Sequence, residues 1–529
     1  MSSRRLLFKR WVPEWLIKII LFIVLLPSLV LFFLPLANVN AAAGNLGIET
    51  YDVYFCVVLF YAGYTSFFSL ERRFYNFLAA KEYFIVITLI QIATSYVCYQ
   101  TQEVAVLFIC RFIQGMAFTM TVNLSLSLIF NRLHSNRART IGYSIFFGML
   151  VCMIPFNNFA TSEFIDAFDF NVLYKCAMFS YAPSILTLSV CMNNNRLTDK
   201  FHLKELDWAS FVLYATALVL VGYICVYGQE YYWLEDPRIY FSVIAIVFIS
   251  IIFVMRQYTM EEPYFNLEVF KSPNFVIGLV IILAFYLCRF TLGIATTYFQ
   301  TVLKLDPIHV GYLTLFNILG IIVGVILSCA YVLQNRPIRI LWIYGFLFLL
   351  GFHVWMFFLF NIQVNENNYY IPLIIHGIGV GIMMTPTIIY VVASVKESIS
   401  ASAAGICLLF RCLGFYLSIA LINYYDLFSK SKHYNTFQQQ LTSFNPIVKQ
   451  ALAKHANAAL HHGASSVQAQ KLPNRFIVKA IQVQGQIRFA MDYYEMISWM
   501  IVFTILLVAV FPYLNKTLVT VKNNLPAPF

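Results

Sequence analysis

Ten polar or charged side chains interrupt stretches of this sequence that are otherwise apolar: Gln91, Arg111, Gln114, Asn123, Arg289, Asn317, His353, His376, Thr385 and Arg411. The segment LFICRFIQGMAF, residues 107–118, concentrates three features, with Arg111, then Gln114 one turn later, then Gly115. A guanidinium in lipid costs roughly 2.5–3.5 kcal/mol even on lenient insertion scales, so ionisable groups inside a membrane mark an aqueous path or a coupling site by default. The chemistry expected of such a set is the binding and relay of charge, a proton or an ionic substrate. Arg289, midway along its apolar stretch, reads as a cavity residue. Arg411, near an end, reads equally as a cavity residue and as a snorkelling side chain. His353 and His376 read more readily as helix-contact residues than as proton relays.

The acids are placed differently. No Asp or Glu lies in the middle third of any apolar stretch. Asp52, Glu230, Asp306, Asp426 and Asp492 fall near outer ends, and Asp207 at an inner edge. No nucleophile–base pair, phosphate loop or metal-ligand cluster is present, so neither an enzyme nor a bound metal or cofactor is expected. All 11 cysteines fall in or at the ends of apolar stretches, which excludes a disulfide framework and offers no metal-ligand spacing. His433, His455, His461 and His462 read as solvated helix residues, with no Cys or carboxylate spaced to complete a metal set.

The elements that carry these groups follow from composition. Of 529 residues, 60% are hydrophobic, 17% aromatic and only 11% charged. A chain with so little polar surface needs lipid as its exterior. Fourteen stretches are long enough to cross a bilayer as helices, near 16–37, 51–70, 83–101, 104–130, 141–160, 173–192, 208–227, 239–256, 275–297, 308–331, 338–361, 370–391, 404–424 and 495–513. The first is too long for the core of a secretory signal and lacks a small-residue cleavage site, so it is expected to remain as a span. With the N-terminus inside, the inner segments carry about twenty Lys and Arg, whereas the six short outer loops carry Arg238 and Lys304 alone. That asymmetry is the positive-inside pattern, and it places both termini in the cytoplasm. Topology thereby accounts for the net charge of +11, with no need of nucleic acid.

One outer segment, 425–494, is long. It holds NPIVKQALAKHANAAL and PNRFIVKAIQVQGQIRFAMDYYEM, helix-like pieces split by HHGASS, and is expected to form a helical hairpin against the outer mouth. The expected organisation is a six-span half (1–192), a cytoplasmic linker with two extra spans (193–256), spans nine to thirteen (257–424), the outer loop (425–494), and the last span with its tail (495–529). GIIVG (Gly320, Gly324) and HGIGVGIMMTP (Gly377, Gly379, Gly381, Pro386) let helices approach closely or bend.

RFIQGM resembles the R-x-x-Q-G signature on the fourth span of the major facilitator superfamily. The two extra spans are similar to those of its fourteen-helix drug:proton antiporter branch, the EmrB/QacA type. LDWASFVLYATALVLVGYICVYGQEYYW (206–233) resembles that branch's entry to and exit from the seventh span. EPYFNLEVFKSPNF, YFQTVLKLDPIHVGY, HGIGVGIMMTP and GICLLFRCLGFYLSIAL resemble segments from the ninth span to the thirteenth, so the likeness covers nearly the whole chain. The departures concern coupling. Leu26 stands where the first-span acid is usual, although Ser28 and Pro35 remain. The loop motif survives as SFFSLERRFYNF, with Arg73 kept, Arg72 for the Asp and Tyr75 for the Gly. The fifth-span antiporter motif survives only as Pro155 in LVCMIPFNNF.

The resemblance implies an all-α major facilitator fold in a bacterial inner membrane, exporting amphipathic or aromatic compounds by alternating access on the proton gradient. It implies that Arg111, with Gln114, faces a central cavity and relays protons or holds gate hydrogen bonds, and that Gly115 allows close helix approach. Asn123, Arg289, Asn317, His376 and Arg411 are the further pathway candidates, with Asp52 as a mouth carboxylate able to take the proton. By analogy, a periplasmic adaptor and an outer-membrane channel are expected partners, docking on 425–494. Two rivals are a facilitator or importer of a specific organic anion, and a non-transporting scaffold or sensor.

Overall fold

The computed structural model describes residues 7–74, 79–132, 138–195, 207–261, 263–442, 445–461 and 466–510. The loop-motif residue Tyr75, the side chains of Arg72 and Arg73, most of HHGASS and the tail from 511 onward lie outside the described residues. Among those described, the architecture is entirely helical.

Among the described residues, thirteen helices are long and apolar enough to span a bilayer. The sixth stretch is the fourteenth candidate and comes in two pieces, Val172–Ser180 and Ala182–Cys191. Pro183 explains the break: without an N–H it leaves the Phe179 carbonyl without its helical donor, and the Tyr181 N–H closes on Met178 instead (3.3 Å). The other spans are, in order, Glu14–Phe33, Thr50–Phe74, Ala80–Gln100, Val104–Arg132, Ala138–Ala167, Trp208–Tyr227, Pro237–Thr259, Pro273–Arg289 continued by Leu292–Thr301, Pro307–Leu333, Ile338–Leu359, Tyr370–Ala393, Ser400–Gln440 and Ser466–Val510.

Burial sorts these helices into layers. The most apolar window of the second span is 89% buried and that of the twelfth 83% buried, so both run through the interior. The eighth is only 6% buried; it packs on the seventh and turns the rest of its surface to lipid. The first six spans form one bundle and the last six another, meeting where the fifth packs on the tenth and twelfth and the second on the thirteenth. Glycine sets the tightest approaches. A Cβ on Gly115 would fall on the Phe60 carbonyl, and one on Gly63 on the Phe112 carbonyl, fixing the second span against the fourth. Gly377 and Gly381 play the same part against Gly320 and Gly324 of the tenth.

The outer segment is not the separate hairpin that its sequence suggests. The thirteenth helix has 41 residues and the fourteenth 45. At a rise of about 1.5 Å per residue, each is roughly twice as long as a ~30 Å hydrocarbon core. No Pro or Gly follows Gly414 in the thirteenth helix, so nothing stops it at the membrane surface. The two helices therefore continue outward as a stalk, joined where Ser429 Oγ and His433 Nε2 both lie 2.8 Å from Asp492 Oδ2. The helix Pro446–His461 packs along it, with His455 stacked on Phe476.

Candidate functional site

A cavity of ≈ 480 Å³ lies between the two bundles. Its mouth is rimmed by Asn38, Asn40 and Thr50 from the connection of spans one and two, by Gln229 and Glu230 after the seventh, and by Asp426 and Lys430 at the base of the stalk. Its floor is made by Val151, Ile154 and Pro155 of the fifth span, Arg289 and Phe290 of the ninth, Asn317 and Ile321 of the tenth, His376 of the twelfth, and Phe415 and Ser418 of the thirteenth. Below the floor the bundles are closed on each other. Tyr61 and Tyr286 hydroxyls lie 3.4 Å apart, Tyr416 donates to the Val58 carbonyl (3.1 Å), and Tyr264 donates to the Ser66 carbonyl.

Local helix chemistry puts Arg289 at this floor. The ninth helix breaks after Arg289, where the Thr291 hydroxyl turns back to the Cys288 carbonyl (2.7 Å) and Tyr494 donates to the Thr291 carbonyl (2.9 Å). Arg289 is therefore the last helical residue, where the exposed carbonyl ends of the helix favour a cation. Its guanidinium makes one long hydrogen bond, to the Leu150 carbonyl (3.4 Å), and lies 5.2 Å from the Phe290 ring. Asn317 holds its neighbour in one form: Nδ2 donates to the Leu373 carbonyl (2.9 Å) and to His376 Nδ1 (2.8 Å). The ring's remaining N–H is then on Nε2, buried beside the cavity and facing the Cys288 and Arg289 carbonyls without a hydrogen bond of ordinary geometry.

Arg111 is elsewhere, and its environment answers why the chain tolerates it. Pro35 has no N–H for the Leu31 carbonyl, so the first helix tightens into a 3-10 turn over Leu34–Ala37 and leaves its last carbonyls open. Arg111 takes them, with Nη1 donating to Leu31 (2.9 Å) and Nη2 to Phe32 (2.8 Å). Nη1 also donates to Gln114 Oε1 (2.9 Å), Nε reaches the Cys56 carbonyl (3.4 Å), and the guanidinium covers the Phe60 ring at 4.6 Å. Hydrogen bonds to a charged group contribute about 1.5–3 kcal/mol each, so two already offset the lipid penalty. Arg111 is fully buried and does not border the cavity; the expectation of a cavity-facing relay is corrected to a strut between the first, second and fourth spans.

Three further expectations change place. Asn123 donates to Glu71 Oε2 (2.6 Å), and Tyr83 donates to Glu71 Oε1, far below the floor. Glu71 is 1% exposed, and it is this acid, one position before the Arg72 that the loop motif aligns with its Asp, that enters the bundle. Asp52 caps its own helix, accepting from the Glu49 N–H (3.1 Å) and the Tyr227 hydroxyl (2.5 Å), and does not line the cavity. Arg411 lies one layer beneath the floor, its Nε donating to the Tyr286 hydroxyl (2.9 Å) and its Nη2 buried without a partner. Pro155 does line the cavity, within a helix that stays continuous, and its carbonyl accepts from Thr314 (3.1 Å). Sequence reading passed over Asn158 and Phe415; both are ordinary residues in apolar helices until two bundles bring them to one space. Glu230 was seen only as a mouth acid. Burial, followed by the charges of Glu49 and Asp52, raises its carboxyl above the usual carboxylate range.

The fold and this inter-bundle cavity resemble those of multi-pass membrane transporters of the major facilitator type. No family model matches the chain. Over 256 residues it is 25% identical to the colistin resistance protein EmrB of Acinetobacter baumannii, which covers 47% of this chain and 49% of that protein. The chain thus matches about half the length of that relative. It is 24% identical over 362 residues to EfpA of Mycobacterium tuberculosis, described as an uncharacterized MFS-type transporter, covering 67% of this chain and 66% of that one. Among solved structures, a peptide transporter POT in complex with sulfate aligns with a TM-score of 0.60 at 13% identity, over 94% of both chains. The human organic anion transporter MFSD10 aligns at 0.51 and 12% identity, over 94% of this chain and 100% of that one. These structural likenesses carry the fold alone.

Proposed function

We propose that this chain is a secondary transporter that exports amphipathic small molecules by alternating access. The cavity carries the reading: it lies between the two bundles, is open toward the stalk and is closed beneath Arg289 by hydrogen bonds between the second, ninth and thirteenth spans. In the bacterial inner membrane, with both termini cytoplasmic, this is an outward-facing state. Apolar walls with few polar groups suit an amphipathic cargo. The relative's name, a colistin resistance protein, favours export.

The driving force in this reading is the proton gradient, at about 2.3 kcal/mol per charge per 100 mV of potential. Glu230, on the cavity rim with its raised carboxyl, takes the proton-acceptor role in place of Asp52. The stalk is the surface we assign to a periplasmic adaptor leading to an outer-membrane channel; unchanged adaptor co-purification after deletion of 445–485 would refute this. The main test is drug and dye accumulation in efflux-deficient cells expressing the chain. Reduced accumulation that a protonophore abolishes is the expected result. Accumulation equal to that of empty-vector cells, with the protein shown to be in the membrane, overturns export. Raised accumulation of organic anions would instead establish the importer.

A further inference from the structure

Two guanidinium groups sit in the heart of this membrane protein without an acid. Arg289 and Arg411 are 5% and 3% exposed, and among the described residues neither forms an ion pair. They are coupled through one side chain: Arg411 Nε donates to the Tyr286 hydroxyl at 2.9 Å, and the Arg289 guanidinium lies 5.7 Å from the Tyr286 ring. Arg411 faces the Tyr286, Tyr61 and Tyr64 hydroxyls and the Phe147 ring (5.1 Å), none of them an acid, and keeps an unpartnered Nη2. The helix end behind Arg289 offsets about half a charge at best. That leaves more than one positive charge uncompensated around the cavity floor.

The free donors converge on the same space. Arg289 has five N–H groups, and the single 3.4 Å bond to Leu150 occupies one. His376 contributes the Nε2–H that Asn317 forces upon it, buried and facing the Cys288 and Arg289 carbonyls without a hydrogen bond of ordinary geometry. Both residues line the cavity, with Phe290 and Phe415 beside them. A buried donor with no acceptor and a buried charge with no counter-charge are both costly, so the floor suits a ligand that supplies both an acceptor and a negative charge.

The geometry points to an anion subsite in which one carboxylate or other oxyanion of the cargo bridges the Arg289 guanidinium and His376 Nε2–H, with its apolar or aromatic body against Phe290 and Phe415. This rests on the transporter reading and narrows its cargo to amphipathic organic anions. The cargo itself supplies the counter-ion that the chain omits. Lys430 at the mouth belongs to a different arrangement, being paired with Asp426 at 2.7 Å. Among the described residues, Arg289 is thus the unpaired cation that lines the cavity.

The test uses the full chain in phosphatidylcholine nanodiscs and two probes with one tail, pyrenebutyrate and pyrenebutylammonium, with binding measured by equilibrium dialysis against empty nanodiscs. Charge-assisted hydrogen bonds of this kind correspond to roughly a 10- to 100-fold preference for the carboxylate. Arg289→Gln should abolish that preference, and Arg289→Lys should keep part of it. Equal or tighter binding of the ammonium probe to the wild-type protein overturns the subsite and needs no variant. So does an unchanged preference in Arg289→Gln that elutes as the wild-type protein does. Proteoliposome flux separates the two proposals. Arg289-dependent pyrenebutyrate binding without flux of either probe upholds the subsite and counts against transport. Preferential flux of the ammonium probe upholds transport and overturns the subsite.

Discussion

Arg111 in the first bundle and Arg289 in the second are the same residue type, both buried in apolar helices and both without a carboxylate. Each rests on the carbonyl end of a helix. The difference lies in what that end leaves unfilled. The Pro35 break gives Arg111 two open carbonyls, and Gln114 and Cys56 complete its shell, so the guanidinium is spent on holding three spans together. The break after Arg289 is sealed by Thr291 and Tyr494 instead, and its guanidinium faces a cavity with one weak bond. A membrane arginine is structural where a helix break supplies acceptors and available for ligand where the break satisfies itself.

The largest expected effect tests this contrast directly. Arg111→Ala orphans two buried carbonyls and the Gln114 amide oxygen, so a loss of about 3–5 kcal/mol is expected, read as a sharply lowered Tm in detergent or failure to elute as a monomer. Arg289→Ala, which breaks almost nothing, should stay within about 1 kcal/mol of the wild type. Equal destabilisation by the two substitutions would erase the distinction.

An intermediate effect is expected at Asn317. Asn317→Leu removes the donor that sets the His376 tautomer and the second hydrogen bond to the Leu373 carbonyl, which keeps its helical partner, at a cost of about 0.5–1.5 kcal/mol. The protein should still fold, yet lose part of its carboxylate preference in the paired-probe measurement. A full preference in a folded Asn317→Leu protein would remove His376 from the subsite and leave Arg289 alone.

The smallest effect lies at the mouth. Glu230 has a raised carboxyl because it is partly buried and faces Glu49 and Asp52. The folded state therefore holds this proton more tightly than the unfolded chain does. The stabilisation is full below the ordinary carboxylate value of about 4.3 and is lost as pH rises through the folded value. Thermal unfolding followed upward from pH 4 should show a decline that Glu230→Gln reduces, by under about 1 kcal/mol at this half-exposed site. Identical pH profiles for the two proteins would show that Glu230 carries no linked proton.

Much of this was legible in residue order. Apolar length and charge asymmetry give the spans, and RFIQGM with its companions gives the fold. Arg289, Asn317 and His376 were legible as candidates because polar groups in apolar helices are conspicuous, and the cavity does collect them. Arg111 was equally conspicuous and assigned to the wrong side of its helix, since its partners come from Leu31 and Phe32, about eighty positions earlier. Glu71 was hidden for the opposite reason: beside Arg72 it looks like a solvated loop acid, and only the packing of the third and fourth spans encloses it. The stalk is not legible because the thirteenth span runs on past the membrane in helix-forming residues without a breaker, which read the same inside and outside a membrane.

Composition and local pattern by themselves determined that this chain is a bundle of apolar helices with a few expensive polar groups, because lipid transfer and the helical repeat act on residues one at a time or over a turn. Which of those groups are tied down and which are left facing the cavity was decided only by tertiary structure. A hydrogen bond is satisfied or not according to what another helix presents at about 3 Å, and that depends on where distant breaks such as Pro35 and Thr291 release or seal their carbonyls.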